Sequence, residues 1–119
     1  MKISILIPVF NEKNTIISIL KKVNIQKNNL NLEIVVSDDG SNDGTLEILK
    51  QNNDLYDKLV SNSINSGKGS AIIKGLEFCN GEYTLIQDAD LEYDPNDYKK
   101  LLVPVNENKA DAVYGSRFM

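Results

Sequence analysis

Residues 3–9 read Ile3-Ser4-Ile5-Leu6-Ile7-Pro8-Val9, a nearly continuous apolar run that ends shortly before the polar pair Asn11-Glu12. A strand that is buried on both faces carries such a run, because both of its sides pack against apolar surfaces. Beyond it, one apolar helix face is formed by Ile16, Ile17, Leu20 and Val23. The stretch therefore predicts a buried strand of a parallel sheet, followed by a helix.

The same strand-then-helix unit recurs along the rest of the chain. Apolar segments predict further strands at residues 32–37, 58–61, 83–87 and 112–116. Helical spacing of apolar residues predicts a helix in each gap, the last one through Tyr98, Leu101 and Leu102. The order βαβαβαβαβ predicts an α/β fold, with a mostly parallel sheet, helices on both faces and right-handed crossovers. No linker divides residues 1–119, so we expect a single domain.

Composition narrows the classes of function. With 119 residues, 41% of them hydrophobic and 25% charged, the chain resembles an ordinary small globular domain. Its net charge of −4 argues against a nucleic acid as partner, because contact with a phosphate backbone needs clustered Lys and Arg. Histidine is absent, which removes the nucleophile systems that depend on an imidazole base. Acid and base chemistry therefore falls to carboxylates.

Two features bear on cellular location. Cys79 is the only cysteine, so no intrachain disulfide forms and the composition suits a reducing compartment. No apolar run approaches the roughly 20 residues that span a bilayer. We therefore expect a cytoplasmic protein, and any contact with the cytoplasmic face of a membrane would be peripheral or supplied by sequence beyond these residues.

Polar clusters follow the predicted strands at four places, namely residues 11–12, 38–41, 65–70 and 88–90. Because the carboxyl ends of parallel strands meet at one edge of the sheet, we expect all four clusters to lie on the same rim. Ligands of open α/β sheets bind beyond those strand ends. The rim is therefore the predicted binding site.

Asp88-Ala89-Asp90 could hold a divalent metal, since two carboxylates one residue apart at a strand end can reach one hard cation. The spacing alone carries little weight, because a chain with this many Asp residues contains about one such pair by chance. The alternative is a turn in which both carboxylates accept backbone N–H groups. Glu92 and Asp94 crowd the same segment, and the repulsion between so many acidic groups favours a metal over a structural turn.

The acidic stretch at residues 38–45 ends another predicted strand. Its carboxylates could accept the N–H of a nucleotide base or the hydroxyls of a ribose. The alternative is a capped turn, with Ser41 or Asp43 as the N-cap of the next helix. The adjacent carboxylates of Asp38 and Asp39 exceed what a single cap needs, which keeps the ligand interpretation open.

Two cationic side chains could contact a phosphate group. Lys68, within the Ser/Gly-rich segment 65–70, follows the pattern of an anion-binding turn at a helix start, although a solvated surface lysine is the alternative. Arg117 is the only arginine beside 12 lysines. A bidentate contact with phosphate would explain why an arginine stands here in a chain that otherwise uses lysine, and a surface role is the alternative.

Together these segments resemble the family 2 glycosyltransferases, whose catalytic domain has the nucleotide-sugar-binding α/β fold called GT-A. The resemblance spans the whole chain. Within the family, the chain is most similar to the polyprenyl-phosphate sugar transferases of the dolichol-phosphate mannose synthase type. It is carried, in the family's order and spacing, by residues 7–12 (IPVFNE), 38–45 (DDGSNDGT), 65–69 (NSGKG), 87–95 (QDADLEYDP) and 115–118 (GSRF).

The resemblance implies a role for each matching position. The nucleotide would be contacted by Pro8, Phe10, Glu12, Asp39, Gly67, Lys68, Asp88 and Ala89. Mg²⁺ or Mn²⁺ would be held by Asp88, Asp90 and Glu92, and the catalytic residues would be Asp88, Asp90 and Arg117. Glu92 departs from the Gln often found at its position in mannose synthases, although a carboxylate is an equally good ligand for a hard cation.

The implied reaction transfers a sugar from GDP-mannose or a UDP-sugar to an acceptor, either a polyprenyl or dolichyl phosphate or a glycan. Relatives run to about twice this length, so the chain is expected to be the donor-binding part of the domain, truncated before the acceptor-side elements. Alone it should bind donor and transfer little sugar. Two alternatives remain: a non-catalytic nucleotide-sugar-binding module, and a sugar-phosphate nucleotidyltransferase, which would carry a glycine-rich loop where residues 8–12 stand.

Overall fold

The protein folds around a five-stranded sheet with the strand order β3-β2-β1-β4-β5, in which every pair of neighbouring strands is parallel. The computed structural model describes residues 2–28 and 30–89, and the backbone of residues 112–114. The strands are β1 (Lys2–Val9), β2 (Asn31–Asp39), β3 (Lys58–Asn62), β4 (Tyr83–Ile86) and β5 (Ala112–Tyr114). The parallel sheet expected from the sequence is confirmed.

Three α-helices connect the strands within the described residues. They are α1 (Ile16–Ile25), α2 (Thr45–Gln51) and α3 (Lys68–Leu76), and short 3₁₀ turns follow α1 and α2. The predicted helix through Tyr98, Leu101 and Leu102 lies outside the described residues. Among the described residues, none of the helices has the length and apolar character needed to cross a bilayer.

Helices cover both faces of the sheet, as the alternating pattern predicts. On one face the apolar side of α1 and Leu49 of α2 pack against Ile5, Ile7 and Ile34 of the central strands. On the other face the residues of α3 pack against Leu6, Val35 and Ile86. Successive residues of a strand point to opposite faces, so a continuous apolar run is what this arrangement requires.

Two local predictions are wrong at the end of β2. The predicted strand ends at residue 37, but Asp38 and Asp39 are the last residues of β2 and pair with Ser61 and Asn62 of β3. Neither Ser41 nor Asp43 is the N-cap of α2, which is Gly44. The carboxylate of Asp43 instead accepts hydrogen bonds from the backbone N–H and the hydroxyl of Thr45. The backbone hydrogen-bonding groups of Asp38 and Asp39 are paired with β3, so the strand continues although both side chains are polar.

The strand order changes direction at β1, since β2 lies on one side of it and β4 on the other. At such a switch point the connections from the two neighbouring strands leave toward opposite faces, and a crevice opens beyond the carboxyl ends. Here those ends are Val9 of β1 and the segment that follows Ile86 of β4. The fold therefore places a crevice beside the segments that carry the polar clusters.

A buried carboxylate at the opposite edge of the sheet ties three elements together. Glu33 of β2 is 5% exposed, and its Oε1 accepts hydrogen bonds from the Ser4 hydroxyl and the Asn80 N–H, both at 2.8 Å. Its Oε2 lies 3.2 Å from Lys58 Nζ and 3.7 Å from Lys2 Nζ. Burial raises the pKa of Glu33, but the hydrogen bonds and Lys58 outweigh that effect and hold its pKa below the ordinary 4.5.

Replacement of this carboxylate should change the pH dependence of stability. Because the folded-state pKa of Glu33 is depressed, its charge stabilises the fold above the ordinary pKa, and that contribution disappears as pH falls through the folded-state value. We expect Glu33→Gln to lower the free energy of unfolding at neutral pH by about 1–3 kcal/mol and to flatten its fall in acid. Urea denaturation at a series of pH values from neutral to acid tests this prediction, with the exposed Glu47→Gln as control. An unchanged acid profile in Glu33→Gln would contradict the prediction.

The turn after β2 presses directly on the loop after β3. A Cβ atom at Gly40 would lie 2.7 Å from the backbone nitrogen of Asn65 and 2.8 Å from the carbonyl carbon of Ile64. Gly40 also has a φ of +75°, which disfavours any other residue. Gly44 has a φ of +100° but no atom within 4 Å of a built Cβ, so it shares the strain without the clash.

This pair of glycines separates backbone strain from close packing. Gly44→Ala should lower the free energy of unfolding by about 1 kcal/mol, because it only forces a left-handed conformation on alanine. Gly40→Ala should cost about 1–3 kcal/mol more, since the loop at residues 64–65 must also move. Chemical denaturation of both variants measures the difference. Equal losses of unfolding free energy in the two variants would show that the turn after β2 and the loop after β3 are not closely packed.

Candidate functional site

Described residues from all four polar clusters line one pocket beyond the carboxyl ends of β1, β2 and β4, as the sequence predicts for a single rim. The pocket is lined by Pro8, Val9, Phe10, Glu12, Asp39, Asn65, Gly67, Lys68, Ala71, Asp88 and Ala89. All eight positions that the resemblance assigns to the nucleotide are among them. The structure therefore brings together residues as far apart in sequence as Pro8 and Ala89.

One wall of the pocket comes from the end of β1. Pro8 and Val9 close the strand, and Val9 is buried in the apolar core. The next residue, Phe10, is 42% exposed although it is aromatic and lines the pocket. An aromatic ring with an accessible face is a platform on which a planar ring can stack.

Asp39 organises the opposite wall. It is 2% exposed, and its Oδ1 accepts hydrogen bonds from Asn62 Nδ2 at 3.2 Å and from the Ser66 N–H at 3.0 Å. Its Oδ2 accepts the Gly67 N–H at 2.7 Å. Burial raises the pKa of Asp39, but these hydrogen bonds and the charge of Lys74 lower it overall. Asp39 is therefore an ionised group that fixes the loop at the start of α3.

Asp38 serves a different loop. It is 1% exposed, and its carboxylate accepts hydrogen bonds from the N–H and the hydroxyl of Ser41. Ser41 Oγ in turn accepts the N–H of Asn11 at 2.9 Å, and Asn11 Oδ1 accepts the N–H of Asn42 at 2.9 Å. These bonds join the loops that follow β1 and β2. Asp38 does not line the pocket, so its role in the described structure is structural.

A cation and an anion meet at one corner of the pocket. Lys68, the first residue of α3, forms an ion pair with Asp88, and the exposed fractions of their side chains are 42% and 9%. The first turn of a helix also carries a partial positive charge from its backbone N–H groups. This corner therefore offers positive charge from α3 beside a carboxylate from the end of β4.

The proposed metal ligands are only partly within the described residues. Asp88 lines the pocket, whereas Asp90, Glu92 and Arg117 lie outside the described residues. Among residues 2–28 and 30–89, no three acidic, histidine or cysteine side chains cluster closely enough to hold a metal. The carboxylate of Asp88 is a hard oxygen donor of the kind that Mg²⁺ and Mn²⁺ take, so it fits the predicted ion. Metal binding stays a prediction for this chain.

Sequence reasoning missed two residues that build this site. The side chain of Asn62 reaches Asp39, which lies directly opposite it in the strand register. The hydroxyl of Thr15 lies 2.6 Å from the Ala89 carbonyl oxygen and 3.0 Å from Glu12 Oε2. A Thr just before an apolar helix face is a visible sign of a cap, but no local pattern reveals a partner 74 positions away.

Comparison with known proteins connects this geometry to a family. The model described as "Glycosyl transferase family 2" matches residues 4–119. A dolichol-phosphate mannosyltransferase from Pyrococcus furiosus is 32% identical over 120 residues, which cover 100% of this chain and 34% of that protein. An undecaprenyl-phosphate 4-deoxy-4-formamido-L-arabinose transferase from Pseudomonas savastanoi pv. phaseolicola is 35% identical over 106 residues, 84% of this chain and 31% of that one.

Solved structures agree with the sequence comparison. The mannosyltransferase PcManGT from Pyrobaculum calidifontis, in complex with GDP-Man and Mn²⁺, has a TM-score of 0.67 and 30% identity over 74% of this chain and 27% of its own. Glucosyl-3-phosphoglycerate synthase from Mycobacterium tuberculosis, in complex with Mn²⁺, UDP and glucosyl-3-phosphoglycerate, has a TM-score of 0.72 and 26% identity over 87% of this chain and 39% of its own.

This chain spans about one third of the length of the two curated relatives described above. The match to the family model nevertheless covers nearly all of it, and the parallel sheet with helices on both faces is shared with the solved glycosyltransferases. The chain therefore belongs to glycosyl transferase family 2 and has the GT-A fold.

Proposed function

We propose that this chain binds the donor in a glycosyltransferase that moves a sugar from a nucleoside diphosphate sugar to a polyprenyl phosphate. One observation carries the proposal. The eight positions that the resemblance assigns to the nucleotide line one pocket, at the strand ends where α/β sheets bind nucleotides. The pocket brings an aromatic platform, carboxylate acceptors and a lysine together, which are the groups that a base, a ribose and a diphosphate need.

The base and ribose would occupy the wall formed by Phe10, Glu12 and Asp39. The accessible ring of Phe10 would stack on the base. A carboxylate can accept about four hydrogen bonds, and the protein fills three of these positions on Asp39. Asp39 therefore has room for about one further donor, such as a base N–H. The carboxylate of Glu12, which lies 3.0 Å from the Thr15 hydroxyl, can receive ribose hydroxyls.

The diphosphate would lie between the start of α3 and the end of β4. Lys68 and the positive end of α3 would attract the phosphate oxygens. Asp88, together with Asp90 and Glu92, would hold Mg²⁺ or Mn²⁺, and such an ion would neutralise the charge that develops on the leaving diphosphate. Arg117 would contact phosphate of the donor or of the acceptor.

The reaction breaks the bond between the anomeric carbon and the diphosphate, and forms a bond to an acceptor oxygen. A phosphate acceptor needs no strong base, because its second pKa near 6 leaves it anionic at neutral pH. This agrees with a chain that contains no histidine. The names of the two curated relatives, which specify dolichol phosphate and undecaprenyl phosphate, support a lipid phosphate as acceptor. Such a substrate would place the reaction at a membrane surface.

Calorimetric titration with GDP-mannose, UDP-glucose and UDP-GlcNAc, each with and without Mn²⁺, tests donor binding. At least one donor should bind, and Mn²⁺ should strengthen its binding. We expect Asp88→Asn to remove most of that gain, because an amide is a neutral and weaker ligand for a hard cation than a carboxylate. The exposed Asp54→Asn is the matched control and should behave like the native chain.

Two results would overturn this assignment. In one, none of the three donors binds in the presence of Mn²⁺. In the other, Asp88→Asn and Asp54→Asn keep the same response to Mn²⁺ as the native chain. Transfer of sugar is a separate question, which needs a polyprenyl phosphate acceptor and product analysis.

Substitution of Lys68 tests the position of the diphosphate. Lys68→Met should weaken the binding of a nucleoside diphosphate by about 10- to 100-fold, because a charge-assisted hydrogen bond to phosphate is lost. Binding of the corresponding nucleoside should change much less, because it lacks the phosphates. Competition titrations measure both affinities, with the exposed Lys50→Met on α2 as control. Equal weakening for the nucleoside would place Lys68 away from the diphosphate.

A further inference from the structure

Thr15 occupies an unusual place for the residue that precedes a helix. It is the N-cap of α1, a position where a Thr hydroxyl ordinarily accepts an N–H from the first turn of its own helix. Here the hydroxyl makes no such bond. It lies instead 2.6 Å from the carbonyl oxygen of Ala89 and 3.0 Å from Oε2 of Glu12. The side chain is therefore directed toward the pocket wall instead of its own helix.

The partner of this hydroxyl is the central residue of the acidic segment. Ala89 is 3% exposed, so its carbonyl is screened from solvent and depends on a protein donor. That carbonyl belongs to the peptide bond that joins Ala89 to Asp90. A hydrogen bond to it holds the backbone of Ala89, and Asp88 is the residue directly before it, so the bond limits how far the backbone that carries the Asp88 side chain can move.

The hydroxyl also contacts Glu12, which lines the same pocket: besides Oε2, the backbone carbonyl oxygen of Glu12 lies 3.4 Å from it. A hydroxyl has one hydrogen to donate, and the shorter distance assigns it to the Ala89 carbonyl. The backbone N–H of Glu12 is held separately by Thr45 Oγ1 at 3.0 Å. Thr15 thus lies at the junction between the wall proposed for the ribose and the corner proposed for the metal and diphosphate.

We infer that Thr15 is a positioning residue for the metal and diphosphate corner: its hydroxyl fixes the Ala89 carbonyl and, through the adjoining backbone, the position of Asp88. This inference rests on the proposed function, since it assigns a role in metal-dependent donor binding. Thr15 itself touches neither the metal nor the reacting atoms. Its effect passes through the backbone of Asp88 and Ala89.

Variants at this position separate the hydroxyl from the shape of the side chain. Thr15→Val keeps the branched shape and loses the hydroxyl, whereas Thr15→Ser keeps the hydroxyl. The quantity to measure is the factor by which Mn²⁺ strengthens binding of UDP or GDP. We expect Thr15→Val to reduce this factor about tenfold, because a buried carbonyl loses its donor, and to change metal-free binding by less than about twofold. Thr15→Ser should retain the native factor.

A purely structural role would give a different pattern. It would weaken binding equally with and without Mn²⁺, and Thr15→Ser would fare no better than Thr15→Val. Either result overturns the inference, as does an unchanged Mn²⁺ factor in Thr15→Val. Ser18→Ala, which removes an exposed hydroxyl from the same helix, is the control and should match the native chain. Thr15→Ala provides a second test of the missing hydroxyl if the valine variant does not fold.

Amide hydrogen exchange tests the positioning without any ligand. Exchange across residues 87–89 should be faster in Thr15→Val than in Thr15→Ser, while exchange in β1 and β2 should be the same in both. If this contrast appears but the native chain shows no Mn²⁺-dependent binding of nucleotide, the proposed function fails and the contact with Ala89 is purely structural. If native binding depends on Mn²⁺ but the contrast is absent, only the role of Thr15 fails.

Discussion

The buried carboxylate of Asp39 is the interaction on which the pocket depends. An ionised group that is 2% exposed must be compensated by hydrogen bonds, because an unpaired buried charge is strongly destabilising. The compensation comes from the Asn62 side chain at the end of β3 and from the backbone N–H groups of Ser66 and Gly67. These donors lie on either side of an irregular loop. Satisfying Asp39 therefore fixes where the loop runs and where α3 begins.

Asp38 and Asp39 bind different loops because they are consecutive residues of one strand. Successive side chains of a strand point to opposite faces, so Asp38 shares the face of Ile34 and Val36, which α1 covers, and Asp39 shares the face of Val35, which α3 covers. Asp38 accordingly holds the turn that meets the loop after β1. Two loops on opposite sides of the sheet are thus positioned by consecutive residues, and the pocket opens between them.

Apolar periodicity predicts most of the described fold because burial on both faces leaves a strong pattern in the sequence. It gives the order of strands and helices, and the rule for parallel sheets gives the shared rim. It fails at the end of β2, where the polar side chains of Asp38 and Asp39 suggest a turn although the backbone still pairs with β3. It also misses Thr15, because the meaning of that residue depends on the distant Ala89. Chemistry that depends on contacts between distant segments leaves no periodic signal.

The corner proposed for the diphosphate contains little positive charge that is not already paired. The net charge is −4, and the corner that would receive the phosphates already contains the carboxylate of Asp88. Lys68 offsets that single charge through its ion pair, so little positive charge is left over for an anionic donor. A diphosphate placed beside Asp88 would meet electrostatic repulsion unless a further cation joined the two. The metal dependence proposed for donor binding follows from this shortage of positive charge, and Lys68 would then be released from Asp88 to contact the phosphates.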